Sequence, residues 1–198
     1  MQVTHGMTHW WTPGALACLA LTACTSISQP EPEQELWDRL AAGGYVILMP
    51  HANGVTVASA QPDRAPGRCA NQDHLSSRGR REVRLLTNKL GRHEVSVGRV
   101  LTSSDCRCVE TAGALFDYAE PWSIIDNTRD ADPATIRERS TALREAISRW
   151  ISVDNLALVS HQENIREALG VDTQPAELLI IEPLGDAGFR LLGHLKPE

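Results

Sequence analysis

His51, Arg107 and His161 each follow an apolar run that closes in small or turn-forming residues. Residues 45–54 read YVILMPHANG, residues 100–108 read VLTSSDCRC, and residues 156–164 read LALVSHQEN. A neutral imidazole is a nucleophile, a guanidinium grips an oxyanion through a fork of N–H donors, and a second imidazole can donate to charge developing on oxygen. Arg107 also stands near the start of a helical pattern, where free backbone N–H groups favour an anion. Two imidazoles, a guanidinium and a helix N-terminus describe a phosphate site, provided the fold brings the three segments together. A metal site built from His51, His161 and a carboxylate lacks tight ligand spacing such as HExxH, so no metal and no cofactor is expected.

The elements that must position these residues alternate between strand and helix. PEQELWDRLAAGG reads as a helix stopped by Gly43 and Gly44, and YVILM as a strand buried on both faces. Residues 53–73 are loop-like, with Gly54, Pro62, Pro66 and Gly67. Ser76 can cap a helix in which Val83, Leu86 and Leu90 share a face. GRVLTSS is a second strand, CRCVETAGALFDYA a helix and WSIID a third strand. Asp132 and Pro133 open a further helix, with Ile136, Leu143, Ile147 and Trp150 on one face. NLALVS is a fourth strand, and AELLIIEP and GFRLLGHL flank LGDAG as an antiparallel hairpin. The expected fold is α/β: a three-layer α/β/α sandwich with a mostly parallel sheet and an antiparallel edge hairpin. In such sheets ligands bind at the carboxyl ends of parallel strands, where His51, SSDCRC and His161 stand.

The chain has 198 residues, enough for one domain and a tail. Its net charge of -6, with no long block of one sign, disfavours nucleic acid and anionic membrane surfaces as partners. Residues 14–23, GALACLALTA, form an apolar run too short to span a bilayer. The run leads into LTAC, which resembles a bacterial lipobox ending at Cys24. The first 13 residues hold no Lys or Arg, a departure from the usual signal. The expected organisation is a lipoprotein signal peptide over residues 1–23, lipidation of Cys24, a polar tether over 24–33 and a globular domain over 34–198. This places the domain in the cell envelope, on the periplasmic side, held at the outer membrane by the lipid anchor only. With Cys18 removed and Cys24 lipidated, Cys69, Cys106 and Cys108 remain, which allows one disulfide and one leftover thiol.

Four segments in this order resemble the histidine phosphatase superfamily, with its phosphoglycerate-mutase-like fold, and its small bacterial members in particular. YVILMPHA is similar to the family's strand followed by Arg-His-Gly or Arg-His-Ala. LSSRGRREVRLL resembles Leu-Ser-x-x-Gly-x-x-Gln-Ala, VLTSSDCRCVETA the Ser-Ser turn and Arg-x-x-Glu-Thr-Ala helix, and LALVSHQENI the late strand ending in the second histidine. The resemblance covers residues 45–195. It implies that His51 attacks phosphorus to form a phosphohistidine that water hydrolyses. It also implies that Arg107 grips the phosphoryl oxygens and that His161 stabilises the transferred group. Asp126, Asp130 and the acids of residues 53–73 are candidates for the proton donor. Both cysteine-bearing segments border one site in the resemblance, so Cys69 is expected to pair with Cys106 or Cys108.

Two departures bear on activity. The arginine that precedes the family's nucleophile is Pro50, and Asp73 stands where small relatives carry an arginine in Cys-x-x-Gln-Arg-Asn-Leu-Ser. The expected function is phosphohydrolysis through His51, reduced by Pro50. The alternative is a pseudophosphatase that binds an anionic or phosphorylated envelope ligand without turning it over. The implied partner is a phosphorylated small molecule, an envelope glycolipid or a phosphoprotein, and not nucleic acid.

Overall fold

The computed structural model describes residues 1–2, 32–55, 69 and 72–198. Cys24, Arg64 and Arg68 lie outside these residues, as do the signal segment from residue 3, nearly all of the tether and most of the 53–73 loop.

Among the described residues, five helices and eight strands follow one another: α1 (Glu33–Ala42), β1 (Val46–Pro50), β2 (Gly54–Val55), β3 (His74–Leu75), α2 (Ser77–Arg92), β4 (Val97–Thr102), α3 (Cys106–Phe116), β5 (Glu120–Pro121), α4 (Pro133–Ser148), β6 (Asn155–Ser160), α5 (Gln162–Leu169), β7 (Leu178–Pro183) and β8 (Phe189–Leu195). Six strands form one sheet in the order β5-β4-β6-β1-β7-β8. The first four of these run parallel, and β7 and β8 are antiparallel to their neighbours.

Strand periodicity builds the layers. Side chains alternate across a strand, so a continuous apolar run supplies two cores at once. Ile47, Met49, Val100, Ala157, Val159 and Ile180 meet Leu36, Leu40, Leu86, Leu90 and Ala112 from α1, α2 and α3. Val46, Leu48, Leu101, Leu156, Leu158 and Ile181 meet Leu143, Ile147, Ile165 and Ala168 from α4 and α5. This is a three-layer α/β/α sandwich. Local signals start the helices: Ser76 Oγ accepts from Gly79 N–H at 3.0 Å, and Asp132 Oδ1 accepts from Ala134 and Thr135 N–H ahead of α4, with Pro133 in its first turn.

Two sequence expectations need correction. WSIID is not a strand: pairing falls on Glu120–Pro121, and Ser123–Ile125 form a 3-10 turn. Trp122, Ile124 and Ile125 all pack on the core beside α4, and a period-two strand would send neighbours to opposite sides. Residues 53–73 are not all loop, because Gly54–Val55 pair with Leu75 and His74 and close its base.

Pro50 ends β1 without breaking the ladder. His51 N–H donates to Ser160 O at 3.0 Å, so amide direction alternates and the N–H absent at Pro50 would face β7. The β1–β7 pairing runs only from Val46 to Leu48. The proline therefore removes no sheet hydrogen bond.

Candidate active site

Strands β4, β6 and β1 lie side by side, and their carboxyl ends carry Ser103, His161 and His51. Adjacency of β6 and β1 brings the two imidazoles together, with ring centroids 5.4 Å apart and planes at 74°. Arg107 enters from the first turn of α3, whose cap residue is Asp105.

His51 is half-buried, and its Nδ1 lies 2.8 Å from Ala52 O. A carbonyl only accepts, so Nδ1 carries the proton and Nε2 keeps a lone pair. Burial lowers the pKa of His51; the bond to Ala52 opposes this, and the charge of Arg107 adds to it. The ring is held neutral at neutral pH, with one defined nitrogen free to act as a nucleophile.

His161 is fully buried and has the opposite tautomer. Arg129 N–H donates to Asn127 Oδ1 at 2.8 Å, which turns the Asn127 amide nitrogen towards His161 Nδ1 at 3.4 Å. Nδ1 therefore accepts, and the proton sits on Nε2. Around Nε2 lie Ser103 Oγ at 2.9 Å, Asp105 Oδ2 at 3.3 Å and Cys108 Sγ at 3.6 Å. Ser103 Oγ donates onward to Asp126 Oδ1 at 3.2 Å, leaving its lone pairs for the imidazole.

Glu110, three residues after Arg107 in α3, is engaged by His74 and Leu75 rather than by Arg107. Arg107 Nη1 lies 3.8 Å from Asp73 Oδ2, so a carboxylate sits against the guanidinium. Its stem passes over Gly54: a Cβ built there would stand 2.5 Å from Arg107 Cδ. At the rim, Arg129 Nη2 pairs with Glu163 Oε1 at 2.8 Å. Burial pushes the Glu163 carboxyl up, and the Arg129 bond, a backbone hydrogen bond and the Arg129 charge together outweigh it, leaving the pKa below its ordinary value.

The motif residues flanking the site explain one another. Glu110 accepts from Leu75 N–H at 2.8 Å and meets His74 Nδ1, which anchors β3. Thr111 Oγ1 accepts from Ala52 N–H at 3.1 Å and donates to Arg107 O at 2.7 Å, tying the turn after His51 to α3. Asn53 is held by Glu82 through its N–H (3.0 Å) and amide (2.6 Å), and its carbonyl accepts from Ser76 N–H and Oγ. A Cβ at Gly79 would stand 2.0 Å from that carbonyl oxygen, so this position of the LSSRG segment admits only glycine.

Cys69 and Cys106 form a disulfide with Cα atoms 5.5 Å apart, which ties the loop to the first residue of α3. Cys108 is a free, buried thiol whose pKa burial pushes well above the usual value, so it does not serve as a nucleophile. Asp126 spends Oδ1 on Ser104 N–H and Ser103 Oγ. Asp130 has no part in the contacts around the two histidines described above. Sequence reasoning missed Asp105, Asn127 and Glu163. Asp105 is signalled only as a cap residue, and its side chain makes no cap bond. Asn127 belongs to no local pattern, and Glu163 lies within LALVSHQENI with nothing there to mark it out. Among the described residues, no group of three or more His, Cys, Asp or Glu could hold a metal ion.

No family model matches the sequence. No curated protein matches it. Solved structures do match in shape. The protein histidine phosphatase SixA complexed with tungstate shares 17% identity over 77% of this chain and 97% of that chain, with a TM-score of 0.55. YhfR of Bacillus stearothermophilus shares 14% over 78% and 99%, at 0.57. The mycobacterial glucosyl-3-phosphoglycerate phosphatase complexed with VO3 shares 12% over 75% and 97%, at 0.53. At these identities the likeness is one of architecture: this chain has the fold of the histidine phosphatases.

Proposed function

We propose that this protein is a phosphohydrolase that uses His51 as nucleophile. The observation that carries the reading is the complementary pair of tautomers. His51 keeps a lone pair on Nε2 because Nδ1 is bound to Ala52 O, while His161, 5.4 Å away, carries its proton on Nε2 because Asn127 faces Nδ1. One ring can attack phosphorus and the other can donate to a phosphoryl oxygen. Arg107 turns from Asp73 to the phosphoryl group, and the dipole of α3 adds partial positive charge at its N-terminus. The phosphorus–oxygen bond to the leaving group breaks as the Nε2–phosphorus bond forms, and water then cleaves the phosphohistidine. Asp105 Oδ2 lies 3.3 Å from His161 Nε2, beside this chemistry.

The fold neighbours support the reading, since one is a protein histidine phosphatase and another a glucosyl-3-phosphoglycerate phosphatase. The test is release of phosphate from a generic aryl phosphate by purified protein, beside His51→Ala. Hydrolysis that disappears in the variant is expected; equal rates in both would refute it.

A second reading has its own observation. Pro50 brings no charge, and Asp73 lies 3.8 Å from Arg107. Both weaken the grip on a dianion and favour a pseudophosphatase that binds an envelope ligand. Phosphate binding that depends on Arg107, without turnover, selects this reading. For location, we propose export and lipidation at Cys24, with the domain in the periplasm. A Cys24→Ser chain should accumulate as unprocessed precursor without lipid label.

A further inference from the structure

The net charge of the chain conceals one basic face. Helix α2, SRGRREVRLLTNKLGR, carries six cations and one acid, in a chain whose net charge is -6. Its apolar side chains Val83, Leu86 and Leu90 are buried in the core, and Glu82 is buried beside them, held by Asn53 and Arg78. At helical spacing Arg81, Arg84, Asn88 and Arg92 fall on the opposite side, and all four are exposed. Among the described residues, neither Arg81 nor Arg84 takes part in an ion pair. Arg92 Nε donates to Asn88 O, an uncharged acceptor of its own helix. Leu85, 42% exposed, stands among these cations. The cleft beside Arg81 also holds Lys196 and three acids. Of the acids, Glu82 and Glu177 are buried and bonded to Asn53 and His194, and Glu198 accepts from Lys89 through its main-chain oxygen.

Arg81 and Arg92 stand eleven residues apart, about 16 Å along the helix axis. That span is too long for one small anion and suits an array of negative charges. Two observations favour lipid headgroups over a protein partner. The apolar face of α2 is committed to the core, so the outer face offers Leu85 as its one exposed large apolar side chain, far short of what a stable protein interface buries. The chain also enters the domain beside this helix, since Glu33 Oε1, at the start of α1, lies 3.5 Å from Lys89 Nζ. The nine residues between Ala23 and Glu33 reach at most about 30 Å, so a chain held at a membrane through residues 14–23 keeps α2 close to the headgroups.

We infer that the outer face of α2 rests on an anionic lipid surface through Arg81, Arg84 and Arg92, with Leu85 between them. The contact is electrostatic and reversible, because the helix has no free apolar face to insert. None of these side chains belongs to the site at His51 and His161, so membrane contact and hydrolysis are separable.

The test is co-sedimentation of the purified full chain with two kinds of vesicle, phosphatidylcholine alone and phosphatidylcholine with an equal part of phosphatidylglycerol. Residues 14–23 make the same apolar contribution to both, so the ratio of affinities reads the charge of the domain. At low salt the anionic vesicles should bind about a hundredfold more tightly, from about fivefold for each of the three arginines, and the ratio should approach one at about 0.5 M salt. Arg81→Gln with Arg84→Gln should lower the ratio about twentyfold, while Arg81→Lys with Arg84→Lys should keep it. Arg137→Gln with Arg149→Gln, two exposed cations on and just after α4 in the opposite layer, should leave it unchanged. Equal binding to both vesicles, a preference that persists in high salt, an unchanged ratio in the α2 glutamine pair, loss in the lysine pair, or an equal loss in the α4 pair overturns the inference. Tighter binding to a short DNA duplex than to the anionic vesicles, at equal phosphate concentration, assigns the face to nucleic acid and overturns it as well.

Discussion

The side-chain amide of Asn127 faces Nδ1 of His161 at 3.4 Å, and it is turned that way by the backbone N–H of Arg129. A side chain outside every motif thus decides which nitrogen of a motif histidine carries the proton. Replacing Asn127 with Ala releases the tautomer. Loss of the Nε2–H donor should lower kcat by about 10²-fold, the typical effect of removing one preorganised donor. The fold should survive, because Asn127 lies beyond the sheet. Nitrogen NMR of the His161 ring distinguishes tautomer loss from general damage: the native Nε2–H signature should give way to a mixture. An unchanged signature with unchanged kcat would remove Asn127 from the mechanism.

The titration of His51 has a definite sign. Its folded pKa is lowered, by burial first and by Arg107 next, against the bond to Ala52. Below the unfolded value of 6.5 the unfolded chain takes up a proton that the folded chain refuses. Stability therefore falls as pH drops from about 6.5 towards the folded value. His74 goes the other way: its bond to Glu110 raises its pKa, so its contribution is complete below 6.5 and is lost as pH rises through the folded value. Proton NMR should place the His51 midpoint below 6.5 and that of His74 above it. A His51 midpoint above 6.5 would contradict the neutral nucleophile.

Pro50→Arg should raise hydrolysis of an aryl phosphate by tenfold or more, and the gain should vanish when His51→Ala is added. The charge argument is that Arg107 is the one guanidinium this motif supplies to a group carrying nearly two negative charges. The substitution removes no ladder bond, since β1 and β7 part company after Leu48. Pro50 is buried, however, so the new side chain must leave along the strand end, and some loss of stability is expected alongside the gain. Fast hydrolysis by the unmodified protein would instead assign the missing charge to Arg129, Arg64 or Arg68.

Gly54→Ala tests the seat of Arg107. The added methyl carbon would stand 2.5 Å from Arg107 Cδ and 3.1 Å from His74 O. The side chain can yield more easily than the backbone, so the expected result is a displaced guanidinium in a folded protein. Arg107-dependent phosphate affinity should drop by about tenfold or more, because small misplacements at such sites cost heavily. Unfolding curves should change little. An unaltered affinity would show that Arg107 does not hold phosphate.

The order of the main elements, the three layers and the standing of His51 and His161 at the carboxyl ends of adjacent strands were legible in the sequence. Strand ends and helix starts are local events. Alternating and continuous apolar runs, Ser76, Asp132 and Pro133 mark them within a few residues. WSIID misled because its apolar residues fit a strand by composition, while their packing on one core demands a turn. The short β2–β3 pair escaped notice because two-residue strands have no period to read. Tertiary structure alone decided the chemical state of the site. The tautomers of His51 and His161 depend on Ala52 O and on an amide 34 residues away from His161. The partner of Arg107 is Asp73 rather than its helical neighbour Glu110, because Glu110 is drawn to β3. The choice of Cys106 over Cys108 for Cys69 follows from which face of α3 meets the loop. Apart from the bond of His51 to its neighbour Ala52, such contacts join segments far apart in the chain, and they are set by how strands order themselves in the sheet, which no short stretch of sequence encodes.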